Sequence, residues 1–356
     1  MKITICSGGT GGHMFPACAL FDAIRRRGHD VAVVTDARGN AFCEGIEKKV
    51  VVDTVRFSYK NLFGLIYYAI SASLKFFRLW RGKRPDVIVG FGGVFTVIPL
   101  IIAKILGSKV IIYEQNAVVG KANKFLEKFA DLKLSFFKLD GKWMETPAPV
   151  RSDFVCDIPY ECDGIVKILV IGGSQGAASF SKIIPDALGM LNPEDRRHIE
   201  IIQQASYGDS EELSQIYASL GVKATLKNFL RDVATIMADS QLVICRSGAS
   251  TLSELSVMGR PAILIPYPNA SDNHQFHNAK RYEDKKAAWV LEEKDGISEK
   301  LGKIIHQILE NRELLKIASF HMMNDSVSRV AENSFIKLVE LVGNRLEIVR
   351  NEEIPH

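Results

Sequence analysis

The chain has 356 residues, of which 47% are hydrophobic and 24% charged, and its formal net charge is +4. This length suits two domains, the composition excludes a disordered chain, and the mild charge predicts no nucleic-acid partner. The six cysteines are scattered without a CxxC pair, which argues against a disulfide framework or zinc site and favours reduced thiols in the cytosol. The N-terminus has no signal-peptide pattern, and the longest uncharged run, 87–103, is shorter than the roughly 20 apolar residues of a membrane span.

A glycine-rich loop follows the first apolar segment. Residues 2–6 are of strand length, the loop reads Gly8-Gly9-Thr10-Gly11-Gly12-His13, and residues 16–27 can be helical. Backbone N–H groups at a helix start attract an anion, and glycines let the backbone lie against a ligand. Met14 replaces the third glycine of a dinucleotide fingerprint, and no Walker lysine follows. The loop is predicted to bind another anionic ligand, and a tight turn without a ligand is the alternative.

His13 closes this loop at the predicted helix N-terminus. The helix dipole favours the neutral imidazole there, so the ring could accept a proton near pH 7 and act as a general base. A structural imidazole hydrogen-bonded to a loop carbonyl is the alternative interpretation.

Short apolar runs alternate with helical segments through the first half of the chain. Runs of strand length lie at 31–35, 50–55, 87–90, 109–113 and 132–135. This alternation predicts a parallel sheet covered by helices, with ligands beyond the carboxyl ends of its strands. The loops 8–13, 90–93 and Glu114-Gln115-Asn116 would meet at that edge. The last three side chains suit a polyhydroxylated ligand, although Asn116 could instead cap the next helix.

Residues 56–84 combine seven basic residues with many apolar ones and contain no acid. A core-facing stripe at helical spacing is predicted for Phe63, Ile66, Ile70, Leu74 and Phe77. The remaining apolar and basic side chains are predicted to face outward and to dock on an anionic membrane surface. The residues predicted for this contact are Leu65, Tyr68, Lys75, Phe76, Leu79 and Trp80. A wider core-facing stripe with solvated charges is the alternative.

A proline-stiffened connection at 146–151 marks the predicted boundary between domains 1–150 and 151–325. Beyond it the pattern restarts with an apolar run at 167–171, the loop Gly172-Gly173-Ser174-Gln175-Gly176, and a helical segment. Further strands are predicted at 199–203, 224–227, 242–245, 262–265 and 288–291. The chain is therefore predicted to consist of two similar α/β halves.

The second glycine loop admits two interpretations. It fits G-x-S-x-G, the nucleophile elbow of serine hydrolases, for which Asp272 with His274 or His277 could complete a triad. Alternatively, the Ser174 hydroxyl and neighbouring amides bind phosphate oxygens at a helix start.

A third loop of small residues runs from Cys245 into a helix. Glu254 lies one turn inside that helix, where its carboxylate could accept two hydrogen bonds from a cis-diol such as ribose. The loop 272–278 would reach the same edge, and its two histidines could suggest a metal. Since no second pair with ligand spacing exists, a polar substrate loop is favoured over a metal site.

Together these motifs resemble the GT-B glycosyltransferases of peptidoglycan synthesis. They occur in the family's order and approximate spacing, at 8–13, 113–116, 172–176 and 245–249. The resemblance runs nearly end to end and implies two Rossmann-like, doubly wound parallel-sheet domains facing across a cleft. It also implies that a C-terminal helix within 326–356 crosses back onto the first, acceptor- and membrane-binding domain, while 151–325 binds the donor.

The activity implied by the resemblance is transfer of N-acetylglucosamine from UDP-GlcNAc to the C4 hydroxyl of MurNAc in lipid I, undecaprenyl-pyrophosphoryl-MurNAc-pentapeptide. The transfer inverts the anomeric centre, makes lipid II, and uses no metal or other cofactor. The implied location is peripheral, on the cytoplasmic face of the inner membrane. A related GT-B transferase with another lipid acceptor stays an alternative.

Residue roles carry over by position. His13 would be the catalytic base, with Glu114 as alternative. Arg151 and the backbone of Leu230 would lie near the uracil, Ser174 would hold the pyrophosphate, and Glu254 the ribose. The GlcNAc contacts would be Thr10, Gly11, Gly12, Asn116, Ala249 and Gln275. Three positions depart from the family pattern and leave a loop anchor, an acceptor contact and a sugar contact open: Ala148, Val94 and His274.

Overall fold

The computed structural model describes residues 1–52, 62–154, 160–172, 178–205, 210–230, 232–324 and 331–352. Within these ranges, only the backbone is described for 62–68, 324, 331–333 and 345–352. The chain divides into two compact units, Met1–Arg151 with Arg329–His356, and Ser152–Ser328.

The first unit is built on a parallel sheet of seven strands. Its strands are β1 (Lys2–Cys6), β2 (Asp30–Asp36), β3 (Lys49–Val52), β4 (Val87–Gly90), β5 (Lys109–Glu114), β6 (Leu132–Ser135) and β7 (Met144–Glu145). They lie in the order β3-β2-β1-β4-β5-β6-β7, and every neighbouring pair is parallel. The order reverses between β1 and β4, so a crevice opens there beyond the carboxyl ends, where ligands bind in such sheets.

Helices connect these strands. They are α1 (Gly11–Arg26), α2 (Ala37–Asn40), α3 (Leu62–Trp80), α4 (Val97–Ile105) and α5 (Lys121–Leu126). The central strands are nearly inaccessible to solvent, which explains why they read as continuous apolar runs.

The orientation predicted for α3 is wrong for five of its described side chains. Phe76 and Trp80 are only 1% and 5% exposed and join the core that contains Leu100 of α4. Ile70 and Leu74, predicted to face the core, are 56% and 49% exposed, and Phe77 is also exposed.

The reason lies in the composition of α3, which is apolar nearly all round, so periodicity alone could not choose the buried side. Ala72, Phe76 and Trp80 recur every fourth residue and form the buried stripe. Leu79 and Lys75 face outward as predicted. The side chains of Leu65 and Tyr68, like those of Phe63 and Ile66, lie outside the described part of the chain.

The second unit repeats the architecture with a parallel sheet of six strands. Its strands are β8 (Val166–Ile171), β9 (Ile199–Gln204), β10 (Lys223–Lys227), β11 (Leu242–Cys245), β12 (Ala262–Leu264) and β13 (Ala288–Val290), in the order β10-β9-β8-β11-β12-β13. Its helices are α6 (Phe180–Gly189), α7 (Pro193–Arg197), α8 (Ser210–Ser219), α9 (Val233–Asp239), α10 (Ala249–Met258), α11 (His274–Asp284), α12 (Ile297–Glu310) and α13 (Glu313–Asn324). The prediction of two α/β halves with doubly wound parallel sheets is confirmed.

The last helix, α14 (Ala331–Glu352), packs on the first unit. The Phe335 side chain is fully buried, with its ring centroid 5.2 Å from that of Tyr113 at the end of β5. One turn further, Glu340 accepts a hydrogen bond from Arg27 at 3.1 Å and pairs with the His29 ring at 2.9 Å. The hydrogen bond with His29, together with that from Arg27, lowers the pKa of the Glu340 carboxyl.

None of the described helices has the length and apolar character needed to cross a bilayer.

Candidate active site

The first glycine loop lies at the carboxyl end of β1, beside the crevice of the first sheet. Gly9 has φ +88°, a conformation that side chains strain, so the loop needs glycine there. Thr10 is the N-cap of α1, but its exposed side chain makes no capping hydrogen bond. Gly11 and Gly12 form the first turn of α1, where backbone N–H groups have no partner within the helix. The loop thus has the geometry of an anion-binding helix start.

A buried carboxylate fixes this loop in place. Asp36, the last residue of β2, is 1% exposed. Its Oδ1 atom accepts hydrogen bonds from the Gly9 N–H at 2.9 Å and from the Gly39 N–H at 2.7 Å. Arg38 lies in the same turn, 3.4 Å from Asp36 Oδ2. The guanidinium of Arg38 is exposed, and it would lie 3.7 Å from a Cβ built on Gly9. One carboxylate therefore positions the glycine loop through Oδ1 and the Arg38 cation beside it through Oδ2.

His13 lies in the first turn of α1, with its ring against the loop that follows β4. A Cβ built on Gly92 would lie 3.5 Å from His13 Nε2 and 3.4 Å from Asn123 Nδ2, and Gly92 itself has φ +82°. The positive φ is what requires glycine there, since a Cβ at these distances would only make ordinary van der Waals contacts. The His13 backbone carbonyl accepts a hydrogen bond from Ser7 Oγ at 3.0 Å. The structure thus places His13 at the edge of the sheet where the sequence predicted it.

Glu114, at the end of β5, holds the next loop together. The side chain is only 4% exposed. Oε1 accepts from the Asn116 backbone N–H at 3.0 Å and from Asn116 Nδ2 at 3.2 Å. Oε2 accepts from the Gly120 N–H and from Asn123 Nδ2, both at 2.9 Å. With four donors on its two oxygens, the carboxylate serves as the anchor of residues 116–123.

Arg151 closes the first unit and does not lie at the end of a strand. Its guanidinium lies over the ring of Phe15 on α1, 4.9 Å from the ring centroid. The Phe15 ring meets the Phe42 ring edge-on at 5.4 Å. The structure therefore places Arg151 against α1, and its expected proximity to uracil stays a prediction.

In the second unit, Arg246 organises the loop that follows β11. It is 8% exposed, and its Nη1 atom donates to the carbonyl oxygens of Ile265 and Pro266, both at 3.2 Å. Nη1 also pairs with Glu293 at 2.6 Å, and Nη2 donates to Ser179 Oγ at 3.0 Å. This guanidinium therefore joins the chain after β11, β12 and β13 to the start of α6.

The helix α10 begins directly after this arginine. Gly248 is its N-cap in an extended conformation, and Ala249 begins the helix in a buried position. Glu254 is the sixth residue of α10 and is 8% exposed. The segment from β11 to α10 thus repeats the strand, small-residue loop and helix order of the first unit.

Gln275, on α11, lies close to the third loop. Its side-chain oxygen accepts from the Tyr267 N–H at 2.9 Å, and its backbone carbonyl accepts from Ser247 Oγ at 2.8 Å. The adjacent His274 uses Nδ1 for the backbone carbonyl of Ser271 at 2.7 Å. The structure thus brings Gln275 together with the loop that precedes Ala249.

Leu230 and Ser174 are the other residues predicted to bind the donor. Leu230 follows β10 with a buried side chain, and its neighbour Phe229 is 72% exposed. Ser174 lies outside the described residues, as does most of the second glycine loop.

Three residues that hold the loops of the site were not predicted as site residues from the sequence. Asp36 ends β2 and Arg246 follows β11, so a charge at the carboxyl end of a buried strand was the available signal. Asn123 also had no assigned role, and it lies inside α5, where sequence gives no comparable signal.

The two halves of the chain match models of the two halves of one enzyme family. The Glycosyltransferase family 28 N-terminal domain matches residues 3–134, and the Glycosyltransferase family 28 C-terminal domain matches residues 167–337.

Two similar proteins share the name UDP-N-acetylglucosamine--N-acetylmuramyl-(pentapeptide) pyrophosphoryl-undecaprenol N-acetylglucosamine transferase. The Rickettsia felis protein is 36% identical over 342 residues, covering 90% of this chain and 94% of its own. The Zymomonas mobilis protein is 35% identical and covers 96% of this chain and 92% of its own.

Solved structures agree. The crystal structure of Acinetobacter baumannii MurG superposes with a TM-score of 0.80 at 25% identity, covering 95% of this chain and 99% of that one. The spinosyn rhamnosyltransferase SpnG bound to thymidine diphosphate shares the fold. It superposes with a TM-score of 0.66 at 12% identity, covering 96% of this chain and all of that one. Both halves of the chain, in their order and over nearly their whole length, belong to glycosyltransferase family 28.

Proposed function

We propose that this protein transfers N-acetylglucosamine from UDP-GlcNAc to the MurNAc C4 hydroxyl of lipid I, making lipid II with inversion at the anomeric carbon. The observation that carries the proposal is the 35–36% identity, over at least 90% of the chain, to proteins named for this transfer. The site adds the chemistry, since each unit presents a small-residue loop and a helix start at the carboxyl edge of its sheet.

His13 is the proposed general base. The acceptor hydroxyl gives its proton to the imidazole, the hydroxyl oxygen attacks the anomeric carbon, and the bond to UDP breaks. Glu114 is the weaker candidate because both of its oxygens already accept hydrogen bonds that hold its own loop. A carboxylate in that position would have to give up a loop contact in order to take a proton.

The second unit is proposed to bind the donor. Glu254 would accept the ribose hydroxyls, the backbone at Leu230 would meet the uracil, and Arg151 from the first unit is a further proposed contact near it. The start of α10 at Ala249 and the side-chain amide of Gln275 would hold the sugar. Ser174, which the structure does not describe, is proposed to bind the pyrophosphate. The charge that grows on departing UDP would meet helix starts and hydroxyl groups, without a metal.

The first unit is proposed to bind the acceptor beside its glycine loop. Thr10, Gly11 and Gly12 would contact the transferred sugar, and Asn116 is proposed as a further contact to it. The exposed Arg38 guanidinium is held next to the loop by the Asp36 turn, and a planar fork of N–H donors suits the oxygens of a diphosphate. We therefore assign the acceptor pyrophosphate to the neighbourhood of Gly9 and Arg38.

Transfer of label tests the function directly. Purified protein is incubated with radiolabelled UDP-GlcNAc and a short-chain lipid I analogue, and the label is expected in a disaccharide-lipid product with the β-configuration. Omission of the analogue should leave the UDP-GlcNAc intact. Label released as free sugar, or moved only to a different lipid acceptor, would contradict the proposal. Labelling of Ser174 by a fluorophosphonate would instead support a serine hydrolase.

The exposed face of α3 is proposed to hold the protein at an anionic membrane on the cytoplasmic side. Ile70, Leu74 and Phe77 follow one another at helical spacing and are all exposed. Four exposed basic residues flank them: Lys75, Arg78, Arg81 and Lys83. An apolar stripe between cations is the pattern of a helix that lies in the plane of an anionic bilayer surface. This face replaces the one that sequence periodicity suggested.

Vesicle flotation tests this surface. The wild type should float with vesicles that contain anionic lipid and remain behind with neutral ones. Leu74→Glu should abolish flotation, because it places an anion in the apolar stripe. Met190→Glu, on an exposed apolar residue of the second unit, is the matched control and should float as the wild type does. Normal flotation of Leu74→Glu would remove α3 from the proposed contact.

A further inference from the structure

Two cysteine thiols meet beside the first glycine loop. Cys18 lies on α1, and Cys43 lies three residues after the end of α2. Each side chain acts on the pKa of the other, raising that of the Cys18 thiol and lowering that of the Cys43 thiol. Cys18 Sγ donates to the backbone carbonyl of Phe42 at 3.4 Å, which places it next to the backbone of Cys43. Cys43 Sγ donates to the carbonyl of Gly39 at 3.6 Å. The two cysteines are therefore neighbours in the fold although 25 positions separate them in the sequence.

We propose that Cys18 and Cys43 are an oxidisable dithiol, whose disulfide covalently joins α1 to the segment after α2. A disulfide requires two cysteine side chains at short range, and Cys18 Sγ lies 3.4 Å from the carbonyl oxygen of Phe42, the residue directly before Cys43. The pair is also accessible from one side. Cys43 is fully buried, but Cys18 is only half-buried and gives an oxidant a route to the thiols. The other described cysteines, Cys6, Cys162 and Cys245, are buried.

The environment favours loss of one proton from the pair. The neighbouring Cys18 side chain lowers the pKa of the Cys43 thiol despite the opposing effect of burial, and the charge of Lys49 acts in the same direction. Lys49 is held there by its hydrogen bond to the Cys43 carbonyl at 3.1 Å. The thiolate is the form that reacts with oxidants.

A hydroperoxide would serve as the oxidant. One sulfur attacks the O–O bond, which forms a sulfenic acid and releases water or an alcohol. The second sulfur then attacks the sulfenic sulfur, forms the S–S bond and releases water. Two thiols are oxidised by two electrons and the peroxide is reduced by two, so the step needs no other reactant. A dithiol reductant reverses it.

The bond would act on the glycine loop through Asp36. Cys43 donates to Gly39, and the Gly39 N–H shares Asp36 Oδ1 with the N–H of Gly9. Cys18 belongs to the helix whose first turn carries His13. A disulfide would therefore close a covalent ring of residues 18–43, which contains the second half of α1, β2 and α2, and Asp36 in this ring holds the glycine loop.

Peptide mapping tests the proposal on the full-length protein. After treatment with hydrogen peroxide and blocking of free thiols, trypsin cleaves between the two cysteines at Arg25, Arg26, Arg27 and Arg38. A linked peptide that contains Cys18 and Cys43 should appear without reductant and disappear with it. Cys18→Ser should lose the linked peptide, whereas Cys162→Ser should retain it. Amide hydrogen exchange should slow in residues 37–43 of the oxidised wild type and stay unchanged in treated Cys18→Ser.

Three outcomes would overturn the inference. Both thiols could remain free under conditions that oxidise a small dithiol. Either cysteine could pair only with another partner or with a second molecule. The linked peptide could form without any slowing of exchange in 37–43, which would contradict the covalent ring as a constraint. Because Cys18 is half-buried, its serine variant should fold even if Cys43→Ser does not.

Discussion

Replacing Glu114 with glutamine should destabilise the first unit, because no orientation of the amide satisfies its surroundings. Each carboxylate oxygen accepts one backbone N–H, from Asn116 on Oε1 and from Gly120 on Oε2. Whichever way the glutamine turns, its NH2 group faces one of these N–H donors. Rotation of Asn123 gives no relief, because its Nδ2 also donates to the Tyr113 carbonyl at 3.0 Å.

The magnitude follows from the count of lost contacts. The variant loses the charge of the acceptor and about two hydrogen bonds, and it leaves buried donors facing each other. Together these losses should lower the free energy of unfolding by roughly 2–4 kcal/mol. For a unit of this size, 1 kcal/mol corresponds to a change of about 2–4 °C in melting temperature. The transition of the first unit should therefore fall by roughly 4–16 °C in a calorimetric scan.

A neighbouring carboxylate supplies the control. Glu127 accepts from Trp143 Nε1 at 3.2 Å and pairs with Lys133 at 3.5 Å, and its side chain is 31% exposed. Glu127→Gln can keep the bond to tryptophan and should cost less than about 1 kcal/mol. The reasoning would be refuted if Glu114→Gln melted like the wild type and lost only turnover, with the acidic limb of the pH–rate profile removed. Glu114 would then be the base.

Three further predictions concern catalysis and stability. His13→Ala should lower kcat by about 10²–10⁴, the range for a lost acid–base group, with little change in the KM for donor, and a near-normal rate would remove His13 from the base role. Dialysis against EDTA should leave transfer unchanged, and inhibition that added metal reverses would contradict a metal-free reaction. Glu340→Gln should lower the free energy of unfolding by about 0.5–1 kcal/mol at neutral pH, measured with urea. The folded-state pKa of Glu340 is lowered, so its ionised carboxylate stabilises the fold at any pH above its unfolded-state pKa. This stabilisation is lost as the pH falls through the folded-state pKa, and the free energies of unfolding of wild type and variant should therefore converge in acid.

Much of the fold was predictable because buried parallel strands need apolar residues on both faces. The observed bounds of Val87–Gly90 and Leu242–Cys245 coincide with the apolar runs in the sequence. The strand Met144–Glu145 was not predicted, since both of its residues are exposed and two positions carry no periodicity. Local composition thus predicts central strands, while a short edge strand depends on its neighbour.

The orientation of α3 shows a different limit. A helix with apolar residues on every side offers several stripes of similar hydrophobicity, and the spacing of Ile70, Leu74 and Phe77 suggested the wrong one. Ala72 marks the buried face. Its small side chain permits close packing, so the shape of the partner helix decides which face is buried.

The candidate site was predictable in its loops and unpredictable in their anchors. Glycine clusters at strand ends are visible in any sequence because they serve a local backbone requirement. The contact of Asn123 with Glu114 joins α5 to the end of β5, and that of Arg246 joins four segments. Such contacts depend on tertiary distances, which a sequence without alignment does not contain.

The side chains that hold the described loops have similar surroundings, and these surroundings help to decide which group acts as the general base. Asp36, Glu114 and Arg246 are all nearly buried, and each is held by hydrogen bonds to backbone groups of the loops at a sheet edge. A buried charge that loses such partners is costly, so these hydrogen bonds hold the side chains and their loops in place. A general base must change its charge in every turnover. A group bound in this way would give up hydrogen bonds to its own loop each time it took a proton, which weighs against Glu114 and leaves the imidazole in the first turn of α1 as the favoured base. The burial of the carboxylates is therefore an argument for His13.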